Sequence, residues 1–310
     1  MNRFLYSLAL FIGIPFAIFR LLIKDTHDPS WTRKLKNQFG IVEKIPGRVI
    51  WTHCVSVGEF NASKPLIEKL MSQYPNHQII ISTTTITGFN AVNNYYKNNV
   101  KHCFFPFDIP FILDSFIRKI NPEICILLET EIWPNLIHIL KKKNIPTALI
   151  NARLSDKSFQ RYDKYSAKLV KASLNNLSLI CAQNSFSSDR FISLGASQEK
   201  MITTGSLKFD SDNTIDDKSI KTLKKIIGDR KITVFASTRE GEEKQIIKSY
   251  INSADNINSL LIIIPRHPER FNEVFKLAKA SGLNVERRSS TLQCSDDTDI
   301  LIGDTMGEMM

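Results

Sequence analysis

Acidic side chains stand at points where the chain could change from a strand to a helix. Glu59 ends the run HCVSVGE, which follows a short β-rich segment, and Gly58 permits a tight turn just before it. A carboxylate near a helix N-terminus is favoured in its ionised form, and it can then take a proton from a hydroxyl as a general base. A carboxylate that only caps the turn would give the same pattern, so both interpretations stay open.

A second acidic pair follows the apolar run EICILL. Glu129 and Glu131 are two residues apart at the predicted end of this buried strand. Burying two carboxylates is costly, which indicates a functional role, although an N-cap together with an exposed acid is the alternative. Trp133 is interpreted as a packing residue rather than as a platform for a sugar ring.

Basic side chains occupy three further turns. Arg153 follows a predicted strand, and Lys208 lies in the run GSLKFD, where it could neutralise a carboxylate or a phosphate. Arg266 lies in PRHPER after the most apolar strand of the second half, and with a helix N-terminus it would make a phosphate cradle. The small residues of segment 303–308 (GDTMGE) would allow close approach of a ligand to the backbone. The alternative is a structural ion pair for Arg153 and a solvated side chain for Lys208.

The elements that must position these residues alternate between strand and helix. Continuous apolar strands followed by helices indicate parallel sheets covered on both faces. The predicted strands are 49–52, 78–83, 123–128, 147–150, 177–181, 232–235, 260–264, 285–288 and 300–302. A polar linker at 205–213 separates two such series, which predicts two doubly wound α/β domains with ligands at the carboxyl ends of their strands. Neither G-x-G-x-x-G nor G-x-x-x-x-G-K-[ST] is present, which argues against dinucleotide and P-loop sites.

The N-terminus carries a long apolar segment. Residues 4–19 are uncharged, and residues 21–23 extend the run beyond Arg20. The span predicts a single-pass membrane anchor over residues 1–23. No small-residue cleavage site follows, which argues against a signal peptide, and a core or monotopic helix is the other alternative. The Lys and Arg excess in segment 20–48 predicts that the body lies on the cytoplasmic side.

Composition bounds the partners of the chain. It has 310 residues and a formal net charge of +10, which favours anionic partners. Nucleic acid is excluded as the main partner, because no zinc-finger or RNP-like motif is present. The five cysteines form no C-x-x-C pair, which predicts free thiols in a reducing compartment. The histidines show no ligand spacing, so no protein-held metal is expected.

Eight runs, in this order, resemble the Kdo (3-deoxy-D-manno-octulosonic acid) transferases. They are HCVSVGEF, STTTITGF, LLETEIWPNL, INARLSDKSFQRY, GSLKFD, ASTREGEE, IPRHPERF and IGDTMGEM. The resemblance implies a GT-B glycosyltransferase with two Rossmann-like domains facing across a cleft. It further implies CMP-Kdo as the donor, the tetraacyl lipid A precursor (lipid IVA) as the acceptor, inversion at the anomeric centre, no cofactor, and a place at the bacterial inner membrane in lipopolysaccharide biosynthesis.

The resemblance also assigns roles to residues. Glu59 is expected to be the proton acceptor, and Glu131 and Lys208 are expected to stabilise the transition state. Glu129 is the rival of Glu131, because the local alignment could slip by two residues. The residues expected in the CMP site are Pro265, Arg266, Met306, Gly307 and Glu308.

One departure from the family pattern concerns the C-terminal part. Family members continue past G-D-T-M-G-E to a segment of the type G-G-H-N-x-x-E-P, whereas this sequence ends at Met310. The expected organisation is an anchor at 1–23, an acceptor-binding domain at 24–209 and an incomplete nucleotide-sugar domain at 210–310. The alternatives are a truncated, non-catalytic membrane-bound remnant and a GT-B transferase that uses another nucleotide sugar.

Overall fold

The computed structural model describes residues 2–24, 28–210, 217–253, 259–291 and 293–305. The backbone forms two compact units, Met1–Asp212 and Asn213–Met310. Each unit contains one sheet whose strands are all parallel. The α/β fold with doubly wound parallel sheets that the sequence predicts is therefore confirmed.

Seven strands form the sheet of the first unit. They are β1 Arg48–His53, β2 His77–Thr83, β3 Lys101–Phe104, β4 Ile124–Leu128, β5 Thr147–Ala152, β6 Leu179–Ala182 and β7 Met201–Thr203. Their spatial order is β3-β2-β1-β4-β5-β6-β7. The direction of winding reverses between β1 and β4, which pair with His53 opposite Leu127. In such sheets a ligand crevice opens at the carboxyl ends of the strands where the order reverses.

Eight helices accompany this sheet in the described part of the unit. They are α1 Arg3–Lys24, α2 Trp31–Gln38, α3 Val57–Gln73, α4 Ile86–Tyr96, α5 Pro110–Ile120, α6 Pro134–Lys142, α7 Asp156–Asn176 and α8 Ser185–Ser193. Because successive side chains of a strand point to opposite faces, β1 contributes to two cores. Trp51 belongs to one buried cluster with Leu127, whereas Ile50 belongs to another with Phe60. Burial on both faces explains why the strands read as continuous apolar runs.

The second unit contains four strands among its described residues. They are β8 Lys231–Thr238, β9 Ser259–Pro265, β10 Val285–Arg287 and β11 Ile300–Ile302, in the order β10-β11-β9-β8. Its helices are α9 Asp217–Ile227, α10 Glu242–Asn252 and α11 Phe271–Lys279. A bidentate ion pair inside this unit joins Arg270 to the fully buried Glu243, at 2.9 and 3.1 Å. It ties the first turn of α10 to the segment before α11.

Strands β3 and β7 and helices α2 and α5 were not predicted. The sequence of β3, KHCF, is too short and too polar to read as a strand. In the structure β3 is an edge strand, and side chains of α2 form hydrogen bonds with the backbone groups on its open side. Asn37 accepts the N–H of Phe104 at 3.0 Å, and Arg33 donates to the carbonyl of His102 at 2.6 Å. This contact protects an edge that would otherwise be open to pairing with another chain.

The first turns of α1 pack on the body of the first unit. The side-chain amide of Asn135 donates to the hydroxyl of Ser7 at 2.9 Å, and Tyr6 bonds to Asp108. Among the described residues, no helix has the length and apolarity needed to cross a bilayer. The single-pass anchor at 1–23 and the cytoplasmic position of the body stay predictions.

Candidate active site

Glu59 lies in the first turn of α3, immediately after β1. Ser56 caps this helix, and its hydroxyl accepts the N–H of Glu59 at 3.4 Å. One carboxyl oxygen of Glu59 turns back and accepts the N–H of Val55 at 2.6 Å. The S-x-x-E spacing is the sequence signal of such a capping turn. The two interpretations of Glu59 are therefore compatible, because a capping carboxyl stands at the ligand-binding edge of the sheet.

The surroundings of Glu59 favour its protonated form more than water does. Burial raises the pKa of Glu59 to about 7, the hydrogen bond from Val55 opposes this rise, and the carboxyls of Glu131 and Glu129 add to it. A general base works best when its pKa lies near the operating pH. Perturbed carboxyls in a crevice are also a general mark of active sites.

The loop after β4 carries the second acidic pair. Glu129 has a left-handed backbone with φ of 57°, and its N–H donates to the carbonyl of Ile150 at 3.0 Å. The next side chain, Thr130, donates to the carbonyl of Arg153 at 2.6 Å. Arg153 itself has an exposed side chain. Both bonds fasten the loop to the end of β5, and strained left-handed residues of this kind cluster at functional sites.

Helix α6, which ends this loop, is capped by a residue far away in sequence. The buried carboxyl of Asp108 accepts the N–H of Asn135 at 3.1 Å and that of Leu136 at 2.8 Å. Burial raises the pKa of Asp108 to about 6, although these hydrogen bonds oppose the rise. The sequence interpretation in which Glu129 or Glu131 caps the helix is wrong, because Asp108 supplies the cap. Glu131 is thereby left available to the crevice.

Glu131 contacts two aromatic side chains. The indole N–H of Trp133 donates to its Oε2 at 2.6 Å, and Nε2 of His53 lies 3.8 Å from the same oxygen. Burial raises the pKa of Glu131 to about 7, against the Trp133 bond, and Glu129 adds to the rise. Trp133 also packs on Phe105, with ring centroids 4.9 Å apart. Trp133 is therefore a packing residue, as expected, and it also orients Glu131. The spacing of two residues between Glu131 and Trp133 could have indicated this second role.

The segment of Lys208 is held against α3. Leu207–Phe209 forms a 3₁₀ turn after Gly205, whose φ is 87°. The N–H of Leu207 donates to Oδ1 of Asn151 at 3.2 Å, and its side chain packs on the apolar cluster that includes Phe60. Asn151 itself is buried, has φ of 55°, and stands where the pairing of β5 with β6 shifts register. A bulge of this kind re-aims a side chain, and here Asn151 positions the turn that carries Lys208.

The second unit brings two of the predicted nucleotide-site residues to the carboxyl edge of its sheet. Pro265 ends β9, and the N–H of the exposed Arg266 donates to the carbonyl of Thr238 at 3.0 Å. Gly303 follows β11 at the same edge, where a Cβ would lie 2.8 Å from Cγ1 of Ile264. The close approach predicted for this glycine is thus to Ile264. Met306, Gly307 and Glu308 lie outside the described residues.

The histidines and cysteines are mostly structural. All five cysteines are buried and free, as expected. Burial lowers the pKa of His53 and of His102 to about 3, so both rings are neutral. Within the described ranges, no group of three or more His, Cys, Asp or Glu side chains is arranged to hold a metal ion.

Solved structures share this fold. UDP-GlcNAc 2-epimerase from Neisseria meningitidis, bound to UDP-GlcNAc, matches with a TM-score of 0.57 and 11% identity, over 84% of this chain and 72% of its own. The epimerase from Methanocaldococcus jannaschii matches with a TM-score of 0.54 and 13% identity, over 84% and 73%. At such low identity the likeness establishes the fold alone, and it confirms the GT-B class that the sequence predicts.

Sequence comparison supplies the family. The family model of 3-deoxy-D-manno-octulosonic-acid transferase (kdotransferase) matches residues 33–211. The enzyme of that name from Haemophilus influenzae is 38% identical over the whole chain, which spans 74% of that protein. The enzyme of that name from Bordetella pertussis is 30% identical over 84% of this chain, which spans 62% of that protein. A probable mitochondrial enzyme of that name from Arabidopsis thaliana is 32% identical over 91% of this chain, which spans 64% of that protein. The chain belongs to the Kdo transferase family.

Proposed function

We propose that this protein transfers Kdo from CMP-Kdo to the tetraacyl lipid A precursor, lipid IVA. The main observation is the pair of half-buried carboxyls, Glu59 and Glu131, at the carboxyl ends of β1 and β4. The names of the relatives support the sugar, and the resemblance of the motifs supports the donor nucleotide and the acceptor.

Glu59 is the general base in this proposal. Its carboxylate takes the proton of the acceptor hydroxyl while that oxygen attacks the anomeric carbon of Kdo. The bond from this carbon to the phosphate oxygen breaks, and CMP leaves with the electron pair. A single displacement inverts the anomeric centre. Lys208 supplies positive charge towards the anionic donor, and the reaction requires no cofactor.

The second unit holds the nucleotide in this proposal. Arg266 is an exposed cation next to the end of β9, where a helical segment begins with Pro268. A guanidinium at such a position favours phosphate through charge-assisted hydrogen bonds. Pro265 shapes the turn, and Met306, Gly307 and Glu308 stay predicted members of the site.

Glu59→Gln tests the proposed base. In a radiolabelled transfer assay with CMP-Kdo generated in situ and lipid IVA, the variant should lose about 10²–10⁴-fold in turnover, the usual contribution of a general base. The affinity for CMP, measured by the thermal shift that CMP causes, should stay as in the wild type. Glu199→Gln, at an exposed carboxyl of the same unit, is the matched control. Wild-type turnover of Glu59→Gln would refute the assignment, and stabilisation by UDP-sugars but not by CMP would favour a different donor.

We further propose that α1 associates with the bacterial inner membrane and that the body lies on the cytoplasmic side. Phe4, Phe11, Ile12 and Phe16 are each between 58% and 74% exposed on this helix, which favours burial in lipid. The positive charges that follow it favour the cytoplasmic leaflet. Protease added to inverted inner-membrane vesicles should degrade the body, whereas right-side-out vesicles should protect it. Degradation in right-side-out vesicles would contradict the proposed orientation.

A further inference from the structure

The ring of His53 has one nitrogen whose role is settled by its partner. The residue is fully buried at the end of β1, and its Nδ1 lies 3.0 Å from both the carbonyl oxygen and the hydroxyl oxygen of Ser82. A hydroxyl can donate or accept, but a carbonyl oxygen only accepts, so a proton on Nδ1 satisfies both contacts, whereas a lone pair there would face the carbonyl oxygen. In a neutral ring the other nitrogen, Nε2, then presents a lone pair.

This lone pair faces Glu131. Nε2 is buried and makes no hydrogen bond within the described part of the chain, and Oε2 of Glu131 lies 3.8 Å from it. An ionised carboxylate would place one acceptor against another. A protonated carboxyl would instead donate to Nε2, and it needs to approach by only about 1 Å to reach hydrogen-bond distance.

A proton on the ring itself is disfavoured. His53 stacks on Phe105 with ring centroids 3.9 Å apart, and no part of its side chain reaches water. Burial lowers the pKa of His53 to about 3, against the opposing bond to Ser82. An imidazolium paired with an ionised Glu131 is therefore the less stable of the two arrangements.

Some of the other groups that face Glu131 favour its protonated form, and others favour its ionised form. Glu129 in the same loop carries like charge and favours a protonated Glu131. Glu59 on α3 and Glu131 repel each other when both are ionised, so a proton on either one favours the ionised form of the other. The indole N–H of Trp133 favours the ionised form. Tyr162 on α7 also interacts with Glu131, and it is hydrogen-bonded by Arg161.

We propose that Glu131 works as a neutral carboxylic acid whose proton is hydrogen-bonded to Nε2 of His53, which is a positioning residue. The effect of this protonation state on Kdo transfer rests on the proposed function. Glu59, held by the N–H of Val55 at a helix N-terminus, is then the ionised carboxylate of the pair. Because one proton is stored on Glu131, the site receives the anionic donor with one negative charge fewer. The hydroxyl proton goes to Glu59 and the proton on Glu131 stays in place.

Nitrogen NMR of the histidine rings tests the proposal without any activity. The full chain is labelled with ¹⁵N-histidine, and the signals of His53 are assigned with His53→Gln. At pH 6, below the pKa of about 7 for Glu131, His53 should show a protonated Nδ1 and an unprotonated, hydrogen-bonded Nε2. Glu131→Ala should shift Nε2 to the position of a free lone pair, whereas Glu199→Gln, at an exposed carboxyl of the same unit, should leave it unchanged. A protonated Nε2, or an Nε2 signal that does not respond to Glu131→Ala, would overturn the proposal.

Glu131→Gln provides the second test, because its amide is neutral, as the protonated acid is, and its N–H can donate to Nε2 of His53. Both contacts of Glu131 are made by Oε2, so an amide nitrogen in that place keeps the bond to His53 and loses the bond from Trp133. We expect turnover within about tenfold of the wild type, whereas Glu131→Ala, which leaves the buried Nε2 unpaired, should lose about 10–100-fold or more. Equal inactivity of the two variants would show that the negative charge of Glu131 is needed and would overturn the proposal. A wild type that does not transfer Kdo would refute the proposed function, and the NMR result would still decide the state of Glu131.

Discussion

At the scale of single residues, the reactive groups of the candidate site are partly buried carboxyls. Burial is the largest cause of the raised pKa of Glu59 and of Glu131. The charges of Glu131 and Glu129 add to the rise at Glu59, and the charge of Glu129 adds to the rise at Glu131. Two such carboxyls titrate as a pair, so the apparent values belong to both. Hydrogen bonds decide which of the two carboxyls holds the proton. Glu59 accepts a backbone N–H, which favours its ionised form, whereas Glu131 faces the lone pair of His53, which favours its protonated form.

These shifts predict how stability depends on pH. Each of the two carboxyls binds its proton more tightly in the folded unit, near 7, than at its ordinary value of 4.5. Their contribution to the free energy of unfolding is therefore complete below pH 4.5 and is lost as the pH rises through 7. Asp108, raised to about 6, acts in the same direction. His53 and His102, whose pKa values burial lowers to about 3, act in the opposite direction up to about pH 6.5. We therefore expect the free energy of unfolding of the first unit to fall above pH 6.5, and Glu59→Gln or Glu131→Gln to reduce that fall.

Urea unfolding at pH 5, 6, 7 and 8 measures this effect. All three tryptophans, Trp31, Trp51 and Trp133, lie in the first unit, so their fluorescence reports on that unit alone. Glu199→Gln serves as the control with a single carboxyl removed from an exposed position. A pH slope that is the same in the wild type and in both site variants would contradict the raised pKa values.

At the scale of elements, the site depends on strand ends that are fastened to one another. The loop after β4 is bonded to β5, α6 is capped by Asp108, and the turn at Leu207–Phe209 is bonded to Asn151. Each fastening is a hydrogen bond between segments that are distant in sequence. Loss of one of them should therefore displace a site residue without removing it.

Asn151→Ala is expected to loosen the turn that carries Lys208. Alanine lacks the acceptor oxygen and tolerates the left-handed backbone less well than asparagine. We expect a loss of about 1–3 kcal/mol in the free energy of unfolding, as for a buried hydrogen bond left unmade, and a lower turnover number. Asn151→Gly, which lacks the acceptor but tolerates the left-handed backbone, should lose the part of both that depends on the hydrogen bond. The two variants are compared by urea unfolding and by the transfer assay, and wild-type behaviour of Asn151→Gly would show that the acceptor oxygen is unimportant.

At the scale of the whole molecule, catalysis and nucleotide binding are assigned to different units. Arg266→Ala should weaken CMP binding by about tenfold or more, because a charge-assisted hydrogen bond contributes roughly 1.5–3 kcal/mol. Glu59→Gln should leave CMP binding unchanged. Titration calorimetry with CMP measures both, with Lys276→Ala as an exposed cationic control in the same unit. Unchanged CMP affinity in Arg266→Ala would remove Arg266 from the nucleotide site.

Much of this arrangement can be read from the sequence. Continuous apolar runs such as EICILL predict strands buried on both faces, and the alternation with helices predicts parallel sheets. The turn S-V-G-E predicts a helix start with Glu59 in its first turn. These features are local, because the side-chain period and the capping pattern span only a few residues.

The tertiary structure alone decides which distant residues meet. Asp108 caps a helix that begins with Pro134, and His53 faces Glu131 across the pairing of β1 with β4. Short segments such as β3 also become strands only through their neighbours. Local periodicity encodes none of these contacts, because they follow from the order in which the strands pair. That order places the carboxyl ends of β1 and β4 side by side, and this adjacency brings Glu59 and Glu131 into one site.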